Sequence, residues 1–345
     1  MRTNLSCNCD KICPFVGTIV QWELIMKDKP IYYSVGPLLY CPANNNNITD
    51  SLINNQLGDG FSLALCLEDT INDNCVAEAE QLLIQNLQTL SQAMEKCAFF
   101  LPKIFIRVRS AKQMLDIARR LKSARKCVTG FIAPKFNLKN CDSYINTIQR
   151  INEEWQRKTY IMPILEDDSI VHLINRASTL YALFEKLQPI EELVLNIRVG
   201  GNDLCNIFGF RRHIDESIHN ISPIANIFSD IVTIFAPRYI ISGPVWEYYN
   251  GAGWESGLAK ELSDDRLCGF IGKTVIHPRQ IALVNEAYKV PRKDFDDANA
   301  ILGWDCNAPR LVCGNPSKER MNEYKTHFTW AIRTIFQSQA YGIKD

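Results

Sequence analysis

Two acidic residues, Glu166 and Asp203, stand 37 positions apart, each just past a short apolar run, at 160–165 and 193–199. If those runs are neighbouring parallel strands, about 4.8 Å apart, the two carboxylates can share one cation. A hard divalent ion such as Mg²⁺ takes oxygen ligands and keeps positions open for water or substrate. The same two acids would equally serve at helix N-termini, where carboxylates are favoured. A second chemical signal is Arg107 with Arg109, which alternate with Ile106 and Val108 and so read as one face of a strand. A guanidinium at a strand mouth suits bidentate binding of a carboxylate. The competing reading is a pair of structural arginines tied to neighbouring acids.

Such residues need elements to hold them. Apolar runs at 36–41, 62–67, 103–108, 127–133, 160–165, 193–199, 239–242 and 268–271 read as strands. Amphipathic stretches at 76–93, 111–121, 141–157 and 169–187 read as helices between them. Alternation at 25–45 residues per unit is that of consecutive βα units. The spacing predicts an α/β protein, a (β/α)8 TIM barrel, with a doubly wound sheet as the alternative. Residues 1–30 read as an N-terminal extension, 31–290 as the barrel and 291–345 as a C-terminal helical cap. Barrel chemistry gathers where strands end. The residues standing there are Glu68 and Asp69, Arg107 and Arg109, Lys135, Glu166, Asp203, and Lys273 followed by His277.

The composition narrows the function. Of 345 residues, 38 are Lys or Arg and 38 Asp or Glu, so there is no net charge to make a broad nucleic-acid-binding face. No apolar run is long enough for a transmembrane helix, and the start of the chain is a poor signal peptide, which predicts a soluble, cytoplasmic protein. The 13 cysteines are odd in number and mostly inside apolar runs, as free thiols in a reducing compartment would be. Cys7, Cys9 and Cys13 cluster without a second pair at zinc-finger spacing. Gly272-Lys273-Thr274 has Leu267 where a phosphate loop needs its first glycine, and Gly200-Gly201 lacks the rest of a dinucleotide fingerprint. His277, followed by Pro278, reads as a structural loop histidine.

Taken in order, several segments resemble the HpcH/HpaI aldolase and citrate lyase β-subunit family. They are L-E-D-T at Leu67–Thr70, I-R-V-R at Ile106–Arg109, A-P-K at Ala133–Lys135 and I-L-E at Ile164–Glu166. G-G-N-D-L at Gly200–Leu204 and G-F-I-G-K-T-V-I-H-P-R-Q-I at Gly269–Ile281 complete the set. The chain is most similar to the divergent C–C bond lyase branch, whose members are often encoded near tellurite-resistance or stress genes. The resemblance implies a (β/α)8 barrel, a homo-oligomer (trimer or hexamer), and cleavage or formation of a carbon–carbon bond between a 2-oxo acid and an acyl partner such as a CoA thioester. It implies Glu166 and Asp203 as ligands of Mg²⁺ or Mn²⁺, and Arg107 as the group that neutralises the oxo-acid carboxylate. Glu68 and Asp69 match an acidic pair near metal-bound water, and with Arg109 and Lys135 they are expected to line the substrate. Relatives bring a carboxylate across a subunit boundary in a K-M-V-D segment. Its counterpart is Arg320-Met321-Asn322-Glu323, which makes Glu323 a catalytic candidate. Arg109 stands where the family has Asn. Two other readings of the same barrel are a non-catalytic ligand-binding or assembly component of a stress-response cluster, and another enolate-forming enzyme.

Overall fold

The computed structural model describes residues 29–345. The extension read over 1–30, apart from its last two positions, lies outside the described residues, and so does the Cys7, Cys9, Cys13 cluster. Eight parallel strands are β1 (Pro37–Pro42), β2 (Ser62–Cys66), β3 (Lys103–Arg107), β4 (Val128–Ala133), β5 (Tyr160–Leu165), β6 (Ile197–Val199), β7 (Ile241–Ser242) and β8 (Lys273–Val275). They pair in the order β7-β6-β5-β4-β3-β2-β1-β8. A bridge between Gly243 and Lys273 closes the ring, with Gly243 N donating to Gly272 O at 3.0 Å. This is the expected TIM barrel.

The helices are α1 (Pro30–Tyr33), which precedes β1, then α2 (Ile48–Ile53), α3 (Val76–Ala93), α4 (Ala111–Arg120), α5 (Cys141–Trp155), α6 (Leu173–Leu187), α7 (Gly201–Phe208), α8 (Ser222–Phe235), α9 (Trp254–Cys268), α10 (Ile281–Tyr288), α11 (Arg292–Leu302) and α12 (Tyr324–Tyr341). Local sequence explains their form. Ser110 caps α4 by accepting a hydrogen bond from Gln113 N, and Met114, Ile117 and Ala118 then fall on one buried stripe. The face of α8 buries Ile224, Ile227, Phe228, Ile231, Ile234 and Phe235, each contributing roughly 1.5–3 kcal/mol relative to exposure.

Alternation along the strands divides the core in two. Leu39, Leu63, Ile104, Ile106, Phe131, Ile161 and Ile197 face the helices. Leu38, Ala64, Phe105, Ile132, Met162 and Ile164 fill the barrel. Tyr32, Tyr33 and Val35 belong to the inner cluster, joined by Phe336, Ala340 and Tyr341 of α12, so the N-terminal end of the barrel is plugged by aromatic side chains. Tyr33 stacks on Phe336 at 5.5 Å.

The eighth strand is not where the apolar run predicts it. Cys268 is the last residue of α9 and 269–271 follow it, the helix's C-terminal turn being closed by Gly269 at φ +96 and by Phe270 N donating to Asp265 O. The strand begins at Lys273, a charged residue that an apolar-run reading passes over. The tail also differs. Val312–Gly314 and Met321–Glu323 form an antiparallel hairpin, β10 and β11, and Ile343–Lys344 (β12) pairs with Val290–Pro291 (β9). The cap read as helical over 291–345 therefore contains short strands as well, and its last helix starts at Tyr324. Cys41, Cys66, Cys127, Cys141 and Cys205 are buried free thiols. No helix among the described residues is long and apolar enough to cross a membrane.

Candidate active site at the barrel mouth

The open end of the barrel is acidic. Glu166 follows β5 and is 3% exposed. Its Oε1 accepts from Arg107 Nη2 at 3.3 Å and from Lys135 N at 3.0 Å. Lys135 takes a left-handed backbone, φ +47, directly after Pro134. That conformation is disfavoured for a residue with a Cβ, and in it the amide of Lys135 meets Glu166. On the other side the β6–α7 turn comes so close that a Cβ on Gly200 would overlap Glu166 Oε2. Only glycine fits there.

Arg107, the last residue of β3, is the hub. Its Nη2 lies 2.6 Å from Glu68 Oε2, 2.7 Å from Asp69 Oδ2 and 3.3 Å from Glu166 Oε1. Lys135 Nζ reaches back to Glu68 Oε1 at 2.5 Å and Asp69 Oδ1 at 3.0 Å. Asp203, in the first turn of α7, adds a negative charge close enough to act on Glu166. Burial, opposed by Arg107 and reinforced by Asp203, pushes Glu166 up to about 8. Burial also raises Glu68. For Asp69 burial works upward too, but the hydrogen bond from Glu68 and the charges of Arg107 and Lys135 outweigh it and hold the carboxyl low.

This electrostatic state bears on metal binding. Glu68, Asp69, Glu166 and Asp203 outnumber Arg107 and Lys135 by two, and the burial and neighbouring Asp203 that raise Glu166 are effects a bound cation would counter. Among the described residues no three His, Cys, Asp or Glu are grouped to cage a metal ion. Glu166 and Asp203 thus suit an ion such as Mg²⁺, which is held by one or two carboxylates and completes its shell with water and substrate oxygens. They do not suit zinc, which wants nitrogen or sulfur ligands.

Other expected site residues sit elsewhere. β3 ends at Arg107, so Arg109 does not share a strand face with it. Arg109 Nε donates to Leu67 O at 2.7 Å, Nη2 to Ile71 O at 2.5 Å, and Nη1 pairs with Asp73. It pins the β2–α3 loop that carries Glu68 and Asp69. Glu323 ends β11 and starts α12. Its N–H donates to His327 Nδ1 at 3.0 Å, and it is paired across the hairpin with Val312. No contact brings it to the mouth of its own barrel among the described residues. Arg320 is engaged by Asp294 and Asp297 at 2.7 and 2.6 Å. Lys273 points out of the barrel, not into its mouth. Its fully buried Nζ lies 2.9 Å from Glu261 Oε1 and 2.7 Å from Asp265 Oδ2 of α9. His277 stacks on Tyr249 at 4.7 Å and accepts from Arg279 N, a loop role as expected.

Two residues that the sequence reading missed enter the site from inside the barrel. Tyr40 on β1 is half-buried, and the Arg107 guanidinium lies 5.7 Å over its ring. Arg198 on β6 is 1% exposed, donates through Nη2 to Thr274 Oγ1 at 2.6 Å and lies against Tyr40. The signal was the strand alternation: Leu38 and Tyr40 share a face, and Arg198 stands between the outward Ile197 and Val199.

Comparison with known proteins places this geometry. Among curated proteins none matches the chain. The fold is shared with a citrate lyase from Burkholderia xenovorans LB400, at 14% identity and TM-score 0.68, over 90% of this chain and 93% of that one. It is shared also with protein CitE from Mycobacterium tuberculosis in complex with magnesium, acetoacetate and coenzyme A, at 17% identity and TM-score 0.56, over 89% and 99% of the two chains. The family model of the C–C bond lyases of the TIM-barrel fold matches residues 29–343. The chain therefore belongs to the C–C bond lyase family of the TIM-barrel fold and is a carbon–carbon lyase.

Proposed function

We propose that this lyase is Mg²⁺-dependent, Mn²⁺ being the alternative ion, and that it breaks or forms a carbon–carbon bond in a 2-oxo acid whose other portion is an acyl or carbonyl group, a CoA thioester among the options. The observation that carries the proposal is the buried Glu166 beside Asp203, with Arg107 and Lys135 arranged around them. The complex of CitE with magnesium, acetoacetate and coenzyme A supports the same chemistry in a protein of this fold. Bound between Glu166 and Asp203, the ion would supply Lewis acidity toward the oxo-acid carbonyl.

The chain's own residues do the rest. Arg107, freed in part from Glu68 and Asp69 when a ligand arrives, holds the oxo-acid carboxylate and keeps its positive charge beside the developing oxyanion. Lys135 and the Glu68–Asp69 pair line the same end of the site and hold water there. Arg109 keeps the Glu68–Asp69 loop in place. Glu323 would complete a site only on a second copy of the chain, which fits a homo-oligomer, and the enzyme would work in the cytoplasm without nucleic-acid or membrane partners.

Calorimetric titration with Mg²⁺, then with pyruvate or oxaloacetate, tests this. Wild type binds the ion, and oxo-acid binding depends on it. Glu166→Gln and Asp203→Asn each lose at least about tenfold in ion affinity, on the order of 1.4 kcal/mol. Ion binding unchanged in both variants places the metal elsewhere or nowhere.

A further inference from the structure

Four arginines among the described residues are buried: Arg107, Arg176, Arg198 and Arg212. Arg107 pairs with Glu68, Asp69 and Glu166, Arg176 with Asp230, and Arg212 with Glu261. Arg198, on β6 inside the barrel, pairs with no carboxylate among the described residues. Its Nη2 donates to Thr274 Oγ1 at 2.6 Å, and the Tyr40 oxygen is its other partner. Its Nη1 is buried with no hydrogen-bond partner among the described residues. Burying a charge without an opposite one is costly, and Arg107 adds a second positive charge that acts on it. An arginine donates and never accepts. What Nη1 lacks is an acceptor, and what the guanidinium lacks is a negative charge.

A second orphan donor lies beside it. The Tyr341 hydroxyl of α12 is buried, and its proton has no acceptor among the described residues. Arg198 and Ser242 are partners across β6 and β7. A side chain at Gly272, just before β8, would crowd Ser242 Oγ at 3.3 Å and Tyr341 Oη at 3.2 Å. Thr274, which holds the other arm of Arg198, stands two residues past Gly272, about 7 Å along the same strand face. Glycine at 272 thus lets the Tyr341 hydroxyl come up to the wall where Arg198 is anchored, and each acts on the other's charge. The inner cluster against which Tyr341 packs is apolar, with Leu195, Ile240 and Ile271.

We infer that Arg198 Nη1 and the Tyr341 hydroxyl hold a monovalent inorganic anion, a halide such as chloride, inside the barrel. One negative charge matches one guanidinium. A single atom that only accepts suits a site made of donors. A water would answer the donors and leave the charge unmatched. With the anion in place, α12 is tied to β6 through a contact that neither side chain makes alone, and Arg198 is screened from Arg107.

Crystals of the full chain grown in sodium bromide test the site by anomalous scattering. A bromide peak within hydrogen-bond reach of both Arg198 Nη1 and Tyr341 Oη is the expected result. An ordered water there without anomalous signal overturns the inference. In solution, thermal melts at one ionic strength compare chloride with gluconate, an anion too large for the site. Wild-type Tm rises by about 4 °C in chloride, the shift for a free anion about a hundredfold above its Kd. Arg198→Met removes the charge and the donor, and its Tm moves by less than about a quarter as much. Tyr341→Phe removes one hydroxyl and keeps the ring, so half-maximal stabilisation needs at least about tenfold more chloride. Should Arg198→Met fail to fold, Tyr341→Phe carries the solution test alone. A wild-type shift that is absent, or that Tyr341→Phe reproduces in full at the same chloride concentrations, assigns any halide effect to the surface and overturns the inference as well.

Discussion

His219 offers a sharp test of how the barrel is held together, because it links a loop to the wall through a charge that pH can remove. Its Nε2 lies 2.8 Å from Asp265 Oδ1, and its ring packs at 5.7 and 5.8 Å against Phe228 and Phe270. Burial pushes the imidazole down, but hydrogen bonds to Asp265 and Cys268 and the charge of Asp265 outweigh it and hold the group up at about 9. The ordinary value is 6.5. A folded-state value above the unfolded one means the charged form stabilises the fold. That contribution is fully present below about pH 6.5 and is lost as pH rises through about 9. A shift of that size corresponds to about 3 kcal/mol. With an unfolding entropy near 2.1 cal/mol/K per residue, 345 residues give about 0.7 kcal/mol/K, hence about 4–5 °C in Tm. His219→Gln keeps a neutral hydrogen-bonding group at the position. Thermal melts of both proteins should differ by that amount at pH 6 and converge by pH 10. A difference that stays constant across the range refutes the assignment of the stabilisation to the charged imidazole.

Three further outcomes follow from the mouth and the tail. Gly200→Ala drives a methyl group into Glu166, so it should lower Mg²⁺ affinity at least about tenfold in calorimetry and cost roughly 1–3 kcal/mol in denaturant unfolding. Arg107→Lys should weaken oxo-acid binding while Mg²⁺ affinity holds, whereas Arg109→Lys should make the loop around residues 67–73 more susceptible to limited proteolysis; oxo-acid affinity falling only for Arg109→Lys would exchange the two roles. Glu323→Gln should abolish turnover with metal binding intact, and mixing it with Arg107→Ala should restore some activity in hybrid oligomers; a mixture that stays inactive after proven subunit exchange removes Glu323 from the site.

The barrel was legible because its inner and outer wall positions are apolar and its helices amphipathic; β5 and α3 have the bounds their patterns predict. β8 was not legible, because its first residue is a buried lysine whose partners Glu261 and Asp265 lie on the preceding helix. Charge pairing of that kind has no periodicity. Glu68, Asp69, Arg107, Lys135 and Glu166 could be picked out as residues beyond apolar runs, and the fold does bring these five together. Tyr40 and Arg198 escaped because a tyrosine and an arginine within a strand look like ordinary variation until the strand's inward face is known. Arg109 was misplaced by one detail: the strand stops two residues earlier than the alternation suggests.

The seam between β7 and β8 carries a consequence for the motions of the wall. β7 spans two residues and β8 three, so few ladder bonds hold the ring shut there. The salt-bridge cluster of Lys273 with Glu261 and Asp265 clasps the seam from the outer side, and Arg198 reaches Thr274 from the inner side. Side chains thus substitute for missing backbone pairing. Local opening concentrates where buried backbone bonds are few, and amides at 241–243 and 272–275 should exchange with solvent ahead of those in β2 to β5. Any breathing of this wall would let water reach Arg198 from the flank, so the lifetime of a dry barrel interior is set by three charged side chains outside it.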